Sequence, residues 1–131
     1  MTDKELCTLA VKAMDNAYAP YSGYRVGAAL LTKDGEIFTG CNIENSSFSP
    51  TICAERTAIF KAVSEGKREF SAIAVAGGKD GKVMGAFPPC GVCRQVMAEF
   101  CKPDFTVLLV TGENTYEKYT LSEILPLAFK L

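Results

Sequence analysis

Residues 71–110 read SAIAVAGGKDGKVMGAFPPCGVCRQVMAEFCKPDFTVLLV. Residues 71–76 and 106–110 are apolar runs of strand length, and between them Val92, Val96 and Phe100 recur at the four-residue spacing of one helix face. That spacing predicts a helix over about 90–100. The glycine-rich stretch 77–89 has no period and is expected to be a loop. Toward the N-terminus, Ala54, Ala58, Ile59, Ala62 and Val63 predict a helix over about 52–65, closed by Gly66. Before it, residues 26–32 and 36–40 flank Lys33-Asp34-Gly35 as a hairpin. The first helix, about 3–17, carries Leu6, Leu9, Ala10, Ala13, Met14 and Ala17, opens on the capping pair Thr2 and Glu5, and is stopped before Pro20. Toward the C-terminus an edge strand at 116–119 and a short helix capped by Thr120 and Glu123 complete the chain. Helices and strands in this order imply an α/β fold, a three-layer αβα sandwich with a mixed central sheet of about five strands.

At 131 residues the chain has the length of one domain, expected to span 1–131. Apolar residues make up 48% and charged ones 22%, enough to bury a core. Lys and Arg total 14 against 15 Asp and Glu, so the net charge of −1 gives no pull toward nucleic acid or anionic lipid. There is no His, which removes Ser-His-Asp triads, imidazole bases and His-ligated metals. The N-terminal residues lack the pattern of a secretory leader, no apolar run reaches membrane length, and the six cysteines are read as reduced. A soluble cytoplasmic protein is the expectation.

The chemistry must then use carboxylates and cysteines, and two clusters supply them: Cys53-Ala54-Glu55-Arg56 and Pro89-Cys90-Gly91-Val92-Cys93-Arg94. Each falls at a predicted helix start, where unpaired backbone N–H groups and the dipole favour thiolate over thiol. Cys90 and Cys93, about 60° apart around a helical turn, face one ion together. Cys53 would be a third sulfur. Three thiolates around Zn²⁺ leave a fourth position for water, the mark of a catalytic site. Glu55 is the candidate proton carrier, with Cys53 expected at the first helical position so that Glu55 reaches back toward the metal. Zinc with three thiolates is formally −1, so Arg56 and Arg94 are expected to hydrogen-bond the sulfurs.

Cys53-Ala54-Glu55 with Pro89-Cys90-Gly91-Val92-Cys93 fits the Cys-x-Glu and Pro-Cys-x-x-Cys signature of zinc deaminases. Together with Pro20-Tyr21-Ser22, Val26-Gly27-Ala28-Ala29, Asn42-Ile43-Glu44-Asn45 and the run from Pro89 to Gln95, the chain resembles the small cytidine deaminases over nearly its whole length. The resemblance implies one zinc per subunit on Cys53, Cys90 and Cys93. It also implies hydrolytic loss of ammonia at C4 of cytidine and deoxycytidine, with Glu55 relaying the proton. Asn42 and Glu44 match the family's ribose-binding pair, and Ala54 and Tyr24 match substrate-contacting positions. Tyr24 is a departure, since that position is commonly Phe. Phe48 is another, standing where some relatives have Tyr. Phe129 matches a C-terminal Phe that a neighbouring subunit supplies, which implies a homotetramer with shared sites. Arg56, Arg94 and Gln95 fall around the metal ligands. The implied partner is a small nucleoside, with no nucleic acid and no membrane.

Blander readings accompany each feature. A Cys-x-x-Cys pair by itself also fits a structural zinc knuckle or a redox motif. Cys7, Cys41 and Cys101 read as small buried apolar groups. Asn42 and Glu44 fit ordinary polar residues at a strand end, and Tyr24 and Phe129 fit core or surface aromatics. Two further functions compete: deamination of another amino-pyrimidine, such as a nucleoside antibiotic, or of a base within nucleic acid, and a non-catalytic zinc-stabilised module.

Overall fold

Apolar side chains alternate between two faces of one sheet, and this alternation builds the layers. Ala28, Leu30, Ile73, Val75, Val107 and Leu109 pack on one side, while Ala29, Ala72, Ala74, Leu108 and Val110 pack on the other. The computed structural model describes residues 1–131. Its strands are β1 (Arg25–Thr32), β2 (Ile37–Cys41), β3 (Phe70–Lys79), β4 (Lys82–Val83), β5 (Thr106–Gly112) and β6 (Thr115–Thr120). They form a mixed sheet of order β2-β1-β3-β5-β6, with β4 paired to β3; only β3 and β5 run parallel.

Helices α2 (Ala54–Ser64) and α3 (Gly91–Phe100) cover the first face. Helix α1 (Asp3–Ala13) covers the second through Leu6, Cys7 and Ala10. A short α4 (Leu121–Ile124) follows β6. The expected three-layer arrangement is therefore present. Both predicted capping boxes, Thr2 with Glu5 and Thr120 with Glu123, form.

Three expectations need correction. The first helix ends at Ala13 and continues as a 3₁₀ turn, Met14–Asn16, before an extended Ala17. The sheet has six strands where about five were expected, because part of the expected 77–89 loop is a hairpin: β3 runs on to Lys79 and turns through Asp80 and Gly81 into β4. Asp80 and Gly81 have φ of 53° and 71°, the left-handed pair that a tight hairpin turn requires. Gly77 and Gly78 read as loop residues but sit in the strand, since a Cβ at Gly78 would lie 1.7 Å from the Lys82 carbonyl oxygen.

Candidate metal centre and active site

Both sulfur clusters sit at helix N-termini. Cys53 is the N-cap of α2, one position earlier than expected, with extended backbone angles. Cys90 is the N-cap of α3, and its Sγ accepts from the Cys93 backbone N–H at 3.4 Å. Helix α2 lies directly on β2 because residue 40 is glycine: a Cβ there would come within 2.5 Å of the Ala58 nitrogen. Thr57 fastens the same joint, its hydroxyl donating to the carbonyls of Cys41 at 3.0 Å and Cys53 at 3.2 Å.

The Sγ atoms of Cys53, Cys90 and Cys93 all lie within 4.8 Å of one another, and Cys53 and Cys90 are 3.8 Å apart. Tetrahedral zinc with Zn–S bonds of about 2.3 Å requires sulfurs about 3.8 Å apart, so the donor set fits this ion. Arg56 donates from Nη2 to Cys53 Sγ at 3.5 Å, and its buried Nε has no partner. The Cys93 thiol, followed by Arg56 and Cys90, draws the Cys53 thiol well below its usual range, while Cys93 is raised by that same hydrogen bond and by burial. The cationic neighbour and the sulfur hydrogen bonds thus favour the thiolate at Cys53.

Glu55, in the first turn of α2, is only 4% exposed, and burial pushes its carboxyl up to about 7. It lines a cleft of about 230 Å³ together with Cys53, Cys90, Ala54, Asn42 and Phe87. A carboxyl poised near neutrality beside a metal position is suited to accepting and returning a proton.

The segment carrying Asn42 and Glu44 reaches this cleft by pairing on both sides. Ile43 exchanges backbone hydrogen bonds with Ile52 at 3.0 Å each way, and Tyr18 bonds Asn42 and Glu44 on the opposite edge. Their side chains brace the loop before β1. Asn42 accepts from the Val26 N–H at 2.8 Å and donates to the Tyr24 carbonyl at 2.8 Å. Glu44 accepts from the Tyr21 and Ser22 N–H groups at 2.9 and 3.1 Å and from the Ser22 hydroxyl. These bonds hold the Glu44 carboxyl below the usual range, so it stays ionised. One Asn42 N–H and further carboxylate lone pairs remain for a ligand.

Tyr24 packs at a tilt on Phe87, ring centroids 6.0 Å apart, with the Lys79 ammonium 4.4 Å above its ring. Phe87 was not among the expected site residues; its only sequence signal is an aromatic side chain in a glycine-rich stretch just before Pro88-Pro89. Arg94 departs from expectation. The Arg94 guanidinium bonds the carbonyls of Pro89 and Ile124 and no sulfur, and Gln95 donates to the Phe129 carbonyl. The Phe129 side chain is 68% exposed.

Three converging sulfurs and a buried carboxyl over a mixed sheet place the protein among the zinc-dependent deaminases as a class. The sequence model of the "Cytidine and deoxycytidylate deaminase zinc-binding region" matches residues 1–109. The chain belongs to that family. A cytidine deaminase of Sporosarcina psychrophila is 50% identical over 98% of this chain and 92% of its own length. One from Halalkalibacterium halodurans is 52% identical over 92% and 88%. The crystal structure of the Burkholderia pseudomallei cytidine deaminase, 46% identical, superposes with a TM-score of 0.90 over 98% of this chain and all of that one. A blasticidin-S deaminase of Bacillus cereus is more distant, at 30% identity.

Proposed function

We propose that this protein is a zinc-dependent hydrolase that converts cytidine and deoxycytidine to uridine and deoxyuridine with release of ammonia. The observation that carries this reading is the convergence of Cys53, Cys90 and Cys93 next to a buried, near-neutral Glu55. The three thiolates would hold one zinc ion. That ion supplies Lewis acidity, which lowers the pKa of water in its open position. Glu55 would take one proton from the water and deliver it to the pyrimidine N3 as the water oxygen adds to C4, then take the second proton from the new C4 hydroxyl and hand it to the amino group as the C4–N bond breaks and the C4 carbonyl forms. Water and cytidine balance uridine and ammonia. Arg56 offsets the negative charge of the thiolates and limits their electron donation.

Asn42 and Glu44 are assigned to the sugar hydroxyls, using the donor and lone pairs their bracing bonds leave free, and Tyr24 with Phe87 forms an aromatic wall for the base. Cytidine is favoured over a nucleoside antibiotic by the higher identity of the cytidine deaminases. A cleft of about 230 Å³ in one chain is small against the ~300–1,000 Å³ of ordinary ligand sites. A neighbouring subunit that supplies further wall, including Phe129, in a homotetramer accounts for the shortfall. No helix is long and apolar enough to cross a membrane, and the assignment is to the cytoplasm. The test is incubation of the zinc-loaded protein with cytidine, following ammonia release and the absorbance change to uridine. A zinc-loaded protein inert on both cytidine and deoxycytidine rejects the reading.

A further inference from the structure

Arg94 is the point at which three stretches of chain meet. Its Nε donates to the Pro89 carbonyl at 2.7 Å and its Nη1 to the Ile124 carbonyl at 2.5 Å, both in a partly buried setting. Pro89 is buried and is joined directly to Cys90; Ile124 is the last residue of α4. One residue along, Gln95 Nε2 donates to the Phe129 carbonyl at 2.9 Å. The first turns of α3 therefore grip the peptide ahead of a sulfur donor on one side and the C-terminal segment 125–131 on the other.

We infer that Arg94 is a positioning residue through which docking of the C-terminal segment steadies Cys90, so that the tail helps to retain the metal. The inference rests on the reading of Cys90 as a zinc ligand. A planar guanidinium presents its donors in a fixed fork, so it sets the separation of two carbonyls, which the single flexible ammonium of lysine does not. Removing it leaves two carbonyls short of a donor and frees the Pro89-Cys90 peptide to swing. Coupling between sites is reciprocal: if the docked tail tightens the metal site, the bound metal must tighten the tail.

The experiment times zinc transfer to excess chromogenic chelator from the zinc-loaded protein. Relative to wild type, Arg94→Met should release zinc about 10-fold faster or more, as second-layer losses at metal sites do. Deletion of residues 126–131 should accelerate release as well, and the two changes together should exceed Arg94→Met by little, because they cut one linkage. Arg94→Lys should restore part of the retention. Val107→Ala, a core truncation away from the linkage, should lower the melting temperature without hastening release. In the wild type itself, chelation should speed amide exchange in residues 125–131 more than in β5 at Val107 and Leu108; this readout holds even if Arg94→Met fails to fold. Unchanged release from Arg94→Met, multiplicative effects of the two changes, or equal acceleration by Val107→Ala overturns the inference and leaves the proposed function standing. A wild-type chain that takes up no zinc overturns both.

Discussion

At the scale of single residues, the chemistry turns on how burial is offset. Glu55 has no cation bonded to its carboxyl and is almost wholly enclosed, so its proton is held to about pH 7 in the protein without metal. The nearby charge of bound zinc works in the opposite direction, favouring the carboxylate that accepts a proton from water. Glu55→Gln keeps shape and burial but removes the exchangeable proton. It is expected to lower kcat by about 100-fold or more while zinc content by metal analysis stays at one per chain. The same group sets a pH dependence. A carboxyl raised from 4.5 to about 7 stabilises the metal-free fold fully below pH 4.5 and loses that contribution as pH climbs through 7. Chelated wild type should therefore lose on the order of 3 kcal/mol relative to chelated Glu55→Gln across that interval. Melting curves at stepped pH measure it, and parallel curves for the two proteins would refute it. Arg56 is offset differently, by a sulfur acceptor at 3.5 Å. Arg56→Gln should hasten zinc loss about 10-fold, read with the same chelator assay.

At the scale of elements, the site depends on two helices being delivered to one place, and glycine makes one of those deliveries feasible. Gly40→Ala would put a methyl group 2.5 Å from the Ala58 nitrogen and 2.6 Å from the Ala54 carbonyl oxygen, both backbone atoms that cannot rotate away. Helix α2 must then lift from β2, carrying Cys53 and Glu55 with it. The expected cost is about 1–3 kcal/mol by denaturant melting, with a weaker zinc complex. A fully stable, zinc-retaining variant would show that the helix tolerates the shift. The layers were legible in the sequence because period-2 and period-3.6 patterns record which faces are buried. The sulfur cluster was legible because its ligands sit in two short motifs whose spacing reflects helix geometry. The β3–β4 hairpin was hidden: glycines usually signal irregular backbone, and at Gly77 and Gly78 they instead make room for Phe87 and the Lys82 carbonyl across the strand. Arg94 was hidden for another reason. Its partners are backbone carbonyls at Pro89 and Ile124, and a carbonyl acceptor leaves no mark on residue identity. The bracing bonds of Asn42 and Glu44 to backbone N–H and carbonyl groups escaped reading in the same way.

At the scale of the whole molecule, large apolar side chains remain uncovered in two regions that a single chain does not bring to use. Tyr18, Tyr21, Ile43 and Phe48 are exposed on or beside the segment that carries Asn42 and Glu44, and Leu127, Phe129 and Leu131 are exposed on the tail. The proposed homotetramer would cover such groups. If the tail of one subunit completes the pocket of another, activity belongs to pairs of chains, and this yields a test by mixing. A Glu55→Gln subunit lacks the proton carrier but has an intact tail; a Phe129→Ala subunit has the proton carrier but a defective tail. Each homo-oligomer should be strongly impaired. Dissociated and reassembled together, they form mixed assemblies in which a site with Glu55 receives Phe129 from its neighbour, so cytidine turnover should rise well above the sum of the separate proteins. The rise should vanish when the two are mixed without dissociation, and size-exclusion chromatography should place wild type at four chains. If Phe129 serves only its own chain, no site in the mixture regains both groups, and turnover stays at the sum.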